Sequence, residues 1–192
     1  FEAGQWDVWP PLRLSRDGKT LFYTAFARDT TRNINQIRLM KRDLTTGQQT
    51  ELFGRESGYF AFYGLLVSPD GSRLVFLDNV GNRPRTLVTL PVTGGTPTEL
   101  FPTGGSTPVP TSNVQHWMRA WTPDGRYVIS RVGDGSVWAF PTGDGEPRKL
   151  DWPLPEVGEL SPDGTQTVYR VIGRSRELRT IPNLLSRLKA AR

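Results

Sequence analysis

Ser68-Pro69-Asp70-Gly71 sits between two apolar runs, Leu65-Leu66-Val67 and Leu74-Val75-Phe76-Leu77. Its residue types make a tight connection: proline presets φ, aspartate bonds the backbone ahead of it, and glycine accepts a positive φ. The flanking runs are rich in β-branched, aromatic and leucine side chains, so the stretch reads as two strands joined by a turn. The same signature recurs at Ser15-Arg16-Asp17-Gly18, Thr122-Pro123-Asp124-Gly125 and Ser161-Pro162-Asp163-Gly164, with successive aspartates 53, 54 and 39 residues apart.

The surroundings of each turn repeat too. Leu12-Arg13-Leu14, Arg119-Ala120-Trp121 and Val157-Gly158-Glu159-Leu160 precede the other three turns, and residues 21–26, 127–130 and 168–172 follow them. A third strand is expected at 36–40, 86–90, 136–140 and 177–181. Three of these meet a second shared turn, Thr46-Gly47, Thr93-Gly94 and Thr142-Gly143, before fourth strands ending at Phe53, Phe101 and Leu150. Two turn motifs recurring in one order, in units of about 40–54 residues, describe four-stranded antiparallel propeller blades. The expected fold is all-β, with blades over 10–54, 55–102, 115–151 and 155–182.

The last unit departs at Ile181-Pro182-Asn183, where no fourth strand follows. Asn183 instead suits the cap of a short helix with Leu184, Leu185 and Leu188 on one side, within a basic tail over 183–192. The missing strand is expected either from the N-terminal segment 1–9, around Gln5-Trp6-Asp7-Val8, closing a small ring, or from a partner completing an open arc.

These units resemble the TolB-type, WD40-like family of bacterial propellers, whose blades carry a Ser-Pro-Asp-Gly turn between their first two strands. The resemblance covers about residues 10–182. It implies a periplasmic or otherwise extracytoplasmic propeller, in a family of scaffold proteins, sensor domains and non-catalytic propellers of peptidases. Known members have more blades than the four read here.

Composition narrows the chemistry. There is no cysteine in the 192 residues, which excludes disulfides, thiol catalysis and Cys-ligated metals. One histidine, His116, argues against a multi-His metal site, and no serine is marked as its partner. No nucleophile elbow, phosphate loop or His-Glu-x-x-His stands anywhere in the sequence. Repetition of Asp17, Asp70, Asp124 and Asp163 at one position reads as turn formation, and Gly133-Asp134-Gly135 lacks the acidic residues of a calcium loop. No cofactor, metal or catalysis is expected. The longest apolar run, residues 59–67, is far short of the roughly 20 residues a membrane helix needs. The chain opens on Phe1 rather than Met, consistent with a leader, anchor or further domain ahead of it.

Binding is the remaining expectation. Fourth-to-first connectors hold Tyr59, Phe60, Phe62, Tyr63, Trp117 and Trp152, and second-to-third connectors hold Arg28, Arg32, Arg83, Arg174 and Arg176. In a four-stranded blade both classes emerge on one face, gathering residue types enriched in protein-binding hot spots. Some of these rings are equally suited to packing between blades. Charge is uneven as well: the total is +5, while Arg170 to Arg192 holds seven basic residues and one acid. A basic end suits an acidic protein surface, such as a subunit of a membrane complex, or anionic lipid headgroups; no nucleic-acid motif accompanies it. Three functions compete: an accessory scaffold subunit, a sensing or gating propeller of a longer protein, and a propeller enzyme. The third needs convergent carboxylates that the inward Leu, Val, Trp and Ala positions do not supply.

Overall fold

The structure, a computed structural model, describes residues 7–57, 62–78, 86–100, 117–132, 134–151, 158–160, 166–172 and 176–182. Among these residues every element is a strand: β1 (Asp7–Leu14), β2 (Thr20–Asp29), β3 (Ile34–Asp43), β4 (Gln49–Ser57), β5 (Phe62–Val67), β6 (Arg73–Asp78), β7 (Thr86–Pro91), β8 (Thr98–Glu99), β9 (Trp117–Trp121), β10 (Tyr127–Arg131), β11 (Val137–Pro141), β12 (Arg148–Leu150), β13 (Gly158–Leu160), β14 (Gln166–Ile172) and β15 (Arg176–Pro182). They pair in chain order into sheets β1–β4, β5–β8 and β9–β12 of four strands, and β13–β15 of three. Every pairing is antiparallel, as connections of a few residues require.

The first strand of each sheet lies innermost in the stack: β1 packs on β5, β5 on β9 and β9 on β13. Each sheet therefore has a leading face, turned toward the sheet before it, and a trailing face, turned toward the sheet after it. Period-two alternation sends neighbouring side chains to opposite faces, which explains why β6 is buried along nearly its whole length. Leu74 and Phe76 enter the core shared with the first sheet, beside Phe22, Ile37, Leu39 and Leu52. Val75 and Leu77 enter the core shared with the third sheet, beside Trp121, Val128, Trp138 and Phe140. Ile129, Val137 and Ala139 form a further buried cluster on the trailing face of the third sheet. Full burial of each such side chain contributes about 1.5–3 kcal/mol.

Gly64, at φ 59°, bulges β5 between Tyr63 and Leu65. The extra residue puts Phe62 and Leu65 into the same core although they stand three apart.

Asp7, Val8 and Trp9 open β1, paired with Phe26, Ala25 and Thr24. These three residues belong to the first sheet, while Gln5 and Trp6, the rest of the expected closing strand, lie outside the described residues. The reason for their pairing in the first sheet is length: β2 runs ten residues, and the backbone groups at its far end need partners on that edge. The expected helix over 183–192 lies outside the described residues.

Polar groups also join the sheets. Asp78 is buried at the end of β6, where Arg55 of β4 holds it through two hydrogen bonds and lies over the Phe62 ring at 5.2 Å. Burial pushes the Arg55 guanidinium below its usual pKa. The Gly95 N–H donates to the Leu52 carbonyl at 3.2 Å, and Lys41 Nζ donates to the Val92 carbonyl at 3.2 Å. This approach is close enough that a Cβ on Gly94, whose φ is +91°, would stand 2.9 Å from the Leu52 carbonyl oxygen. Gly94→Ala is therefore expected to destabilise the chain by about 2 kcal/mol or more, against about 1 kcal/mol for Gly18→Ala, where the φ is positive but the space is open. Arg55→Ala, which strands the Asp78 carboxylate, is expected to cost about 3 kcal/mol. Urea unfolding of the three variants checks both the order and the sizes.

Candidate functional site

The best-defined surface is the one that carries the first-to-second turns. Three of these turns have one hydrogen-bond pattern. Ser15 Oγ, Ser68 Oγ and Thr122 Oγ1 donate to the carboxylates of Asp17, Asp70 and Asp124 at 2.5, 2.5 and 2.6 Å. The same hydroxyls accept the N–H of Thr20, Arg73 and Tyr127 at 2.9, 2.9 and 3.0 Å. Each carboxylate also accepts the N–H two residues on, from Lys19, Ser72 and Arg126. Gly18, Gly71 and Gly125 take φ of 70°, 73° and 68°. The Ser161 turn lies outside the described residues.

This geometry consumes the carboxylates. Asp70 is drawn down to about 2 by the Ser68 hydroxyl first, then by the Ser72 N–H and hydroxyl. Asp17 is lowered by the Ser15 hydroxyl and the Lys19 N–H, and Asp134 by the Ser136 hydroxyl and N–H. Carboxylates held this way stay ionised and are poor general acids. Among the described residues no three His, Asp or Glu side chains are grouped to hold a metal.

Two clefts open between the turns. One, of about 550 Å³, is lined by Arg16, Lys41, Asp17 and Asp70. The other, of about 430 Å³, is lined by Arg16, Arg73, Trp121, Asp70, Asp124 and Thr142. The ion pairs among the described residues join Arg32 to Asp29 and Glu56, Arg38 to Glu51, and Arg55 to Asp78. Arg16 and Arg73 take part in none of them. Arg73 makes one long hydrogen bond, 3.5 Å, to the Thr142 carbonyl. Trp121 Nε1 is buried without an acceptor. The clefts thus offer two guanidiniums beside carboxylates already satisfied by their own turns, an arrangement that can bind acceptor groups but supplies no acid–base pair.

Sequence reasoning placed its site on the opposite loops. Arg28 is exposed there and donates to Asn33 Oδ1 at 3.0 Å. Arg32 is exposed but committed to Glu56, which it meets with two hydrogen bonds of 2.8 and 2.6 Å. That pairing raises the Arg32 pKa and lowers that of Glu56. Phe62 is a core residue rather than a surface one: it is 8% exposed and packs edge-on against Phe76 at 5.1 Å, because the Gly64 bulge turns it toward the first sheet. The backbone of Tyr63, Trp117 and Arg176 lies in β5, β9 and β15. Tyr59, Phe60, Arg83, Trp152 and Arg174, with His116, lie outside the described residues. Arg16 and Arg73 were missed, although one signal was present: Arg16 stands where the three other turns have proline.

No protein-family model matches the chain, and no curated protein matches it in sequence. Solved structures do. TolB from Acinetobacter baumannii is similar at a TM-score of 0.65 and 17% identity, over 93% of this chain and 41% of that one. An oligogalacturonate lyase from Vibrio parahaemolyticus is similar at 0.67 and 13%, over 94% and 52%. The β-propeller domain of the Trilobed protease from Pyrococcus furiosus, which has an open velcro topology, is similar at 0.55 and 13%, over 92% and 54%. The four-stranded antiparallel sheets are thus folded and stacked as in β-propellers, and the chain spans about half the length of these solved proteins.

The turn carboxylates carry a pH signature. Asp70 has an ordinary unfolded pKa near 3.9 and a folded value of about 2. Its contribution to stability is fully present above about pH 5 and is lost as the pH falls through 4 toward 2. Denaturant unfolding at a series of pH values is expected to show a shallower acid limb in Asp70→Asn than in the parent chain.

Proposed function

We propose that this chain is a non-catalytic propeller module for protein interaction, an extracytoplasmic, membrane-extrinsic accessory subunit that docks on a larger complex. One observation carries the reading: Arg16 and Arg73 line a cleft at the turn face, neither in an ion pair among the described residues, while Asp70 and Asp124 beside them are held by their own turns. Guanidiniums free of internal carboxylates suit an acidic partner surface. The basic segment from Arg170 to Arg192 adds charge of the same sign, for an acidic subunit or for anionic headgroups near the membrane. Extracytoplasmic placement follows the resemblance to TolB-type propellers, and among the described residues no helix is long and apolar enough to cross a membrane.

A second reading, a sensing or gating propeller domain of a longer protein, draws on the likeness to the Trilobed protease propeller. The two differ in what they bind. Capture of native extracts on the immobilised chain is expected to recover one stoichiometric acidic partner at low salt and lose it at high salt. Arg16→Glu with Arg73→Glu is expected to weaken that binding at least about tenfold without changing the melting temperature. Binding unaffected by both salt and charge reversal would remove the electrostatic basis of the docking reading.

A further inference from the structure

The two clefts of the turn face adjoin. Arg16, Pro69 and Asp70 line both of them, so the second turn is the ridge between them, and Arg16, from the first turn, reaches across it. Together they make one groove over the turns of the first three sheets, and its cations are Lys41, Arg16 and Arg73. None of the three is in an ion pair among the described residues. Lys41 donates to the Val92 carbonyl and Arg73 makes its long bond to the Thr142 carbonyl, while Arg16 and Arg73 are both exposed. Each cleft therefore holds two cations, Arg16 with Lys41 in one and Arg16 with Arg73 in the other. Asp17, Asp70 and Asp124 line the same groove, and each accepts from a hydroxyl and an N–H of its own turn.

We propose that this groove binds an extended acidic peptide segment, with one carboxylate side chain entering each cleft on either side of the second turn. The inference rests on the docking reading and adds where the partner is held and by which contacts. Formal charge in the groove balances, three cations against three carboxylates, so attraction at long range largely cancels. A dense polyanion such as nucleic acid would meet those carboxylates along its whole length. Separate carboxylates on a flexible chain avoid them and meet the guanidiniums at short range, where two parallel N–H···O bonds add both energy and direction. The clefts, of about 550 and 430 Å³, fall within the roughly 300–1,000 Å³ of built ligand sites. Spacing fits too. Stacked sheets lie about 10 Å apart, and alternate side chains of an extended chain fall about 7 Å apart on one face, with the flexible glutamate stem covering the difference. Pro69 and Pro123 add apolar wall for the chain between its carboxylates.

Calorimetric titration of the 192-residue chain with a short blocked peptide of alternating glutamate and glycine tests this, the glutamine–glycine peptide serving as control. The glutamate peptide is expected to bind at least about tenfold more tightly than the control. Arg16→Lys with Arg73→Lys keeps the charge and removes the paired donors, so it is expected to weaken the glutamate peptide about tenfold at an unchanged melting temperature. Lys41→Gln is expected to weaken it severalfold; no effect would confine the ligand to one cleft and overturn the extended form. Free glutarate binding as tightly as the peptide would replace the peptide by a small carboxylic acid. Equal affinity for the two peptides, or for the arginine and lysine forms of the chain, would overturn the proposal. The docking reading survives that failure if capture of the acidic partner is still lost on charge reversal, and both fall if capture depends on neither salt nor charge.

Discussion

The structure depends on a hydroxyl that bonds in two directions. In each described turn the Ser or Thr oxygen donates to the aspartate two residues on and accepts the N–H five residues on, so carboxylate and incoming strand are tied to one point. Because strand side chains alternate with period two, a slip of one residue here would exchange the leading and trailing faces of the whole sheet. The turn thus decides which apolar residues meet which neighbour. The next turn is fastened to it: the N–H groups of Leu44, Val92 and Thr142 donate to carbonyls within the first turn or beside it.

Register in turn permits stacking. The second sheet is apolar on both faces, which makes sense only with a sheet on each side. Dispersion and burial give these interfaces most of their energy but little specificity. Specific position comes from groups that tolerate no error, namely the buried Arg55–Asp78 pair and the approach of Gly94 to the Leu52 backbone. Both lie between the first and second sheets, one at each end of the strands.

A fold of this kind leaves its function to the strand ends. At the turn end, the carboxylates that hold the fold are spent on it, and their arginine neighbours are not. The same residues cannot serve both stability and acid–base chemistry, because a carboxylate held far below neutral pH by two or three donors no longer exchanges protons there. What this face retains is the pair of guanidiniums of Arg16 and Arg73.

The repeated Ser/Thr-x-Asp-Gly and Thr-Gly turns made the strands, their order within a sheet and the all-β class legible from sequence, because turn chemistry acts over five residues and needs no distant partner. The turn-forming role of Asp17, Asp70 and Asp124 was legible for the same reason. Tertiary structure alone decided the rest. Phe62 looked like a surface ring, yet the Gly64 bulge places it in the core. Arg32 looked free, yet Glu56, 24 residues on, claims it. Asp7 and Val8 looked available to the last sheet, yet they pair within the first. Arg16 and Arg73, unremarked in the sequence, come to line one cleft from two different sheets. A local motif fixes which way a strand turns, but which side chains meet is set by packing between sheets about 50 residues apart in the chain, a relation that no short stretch of sequence encodes.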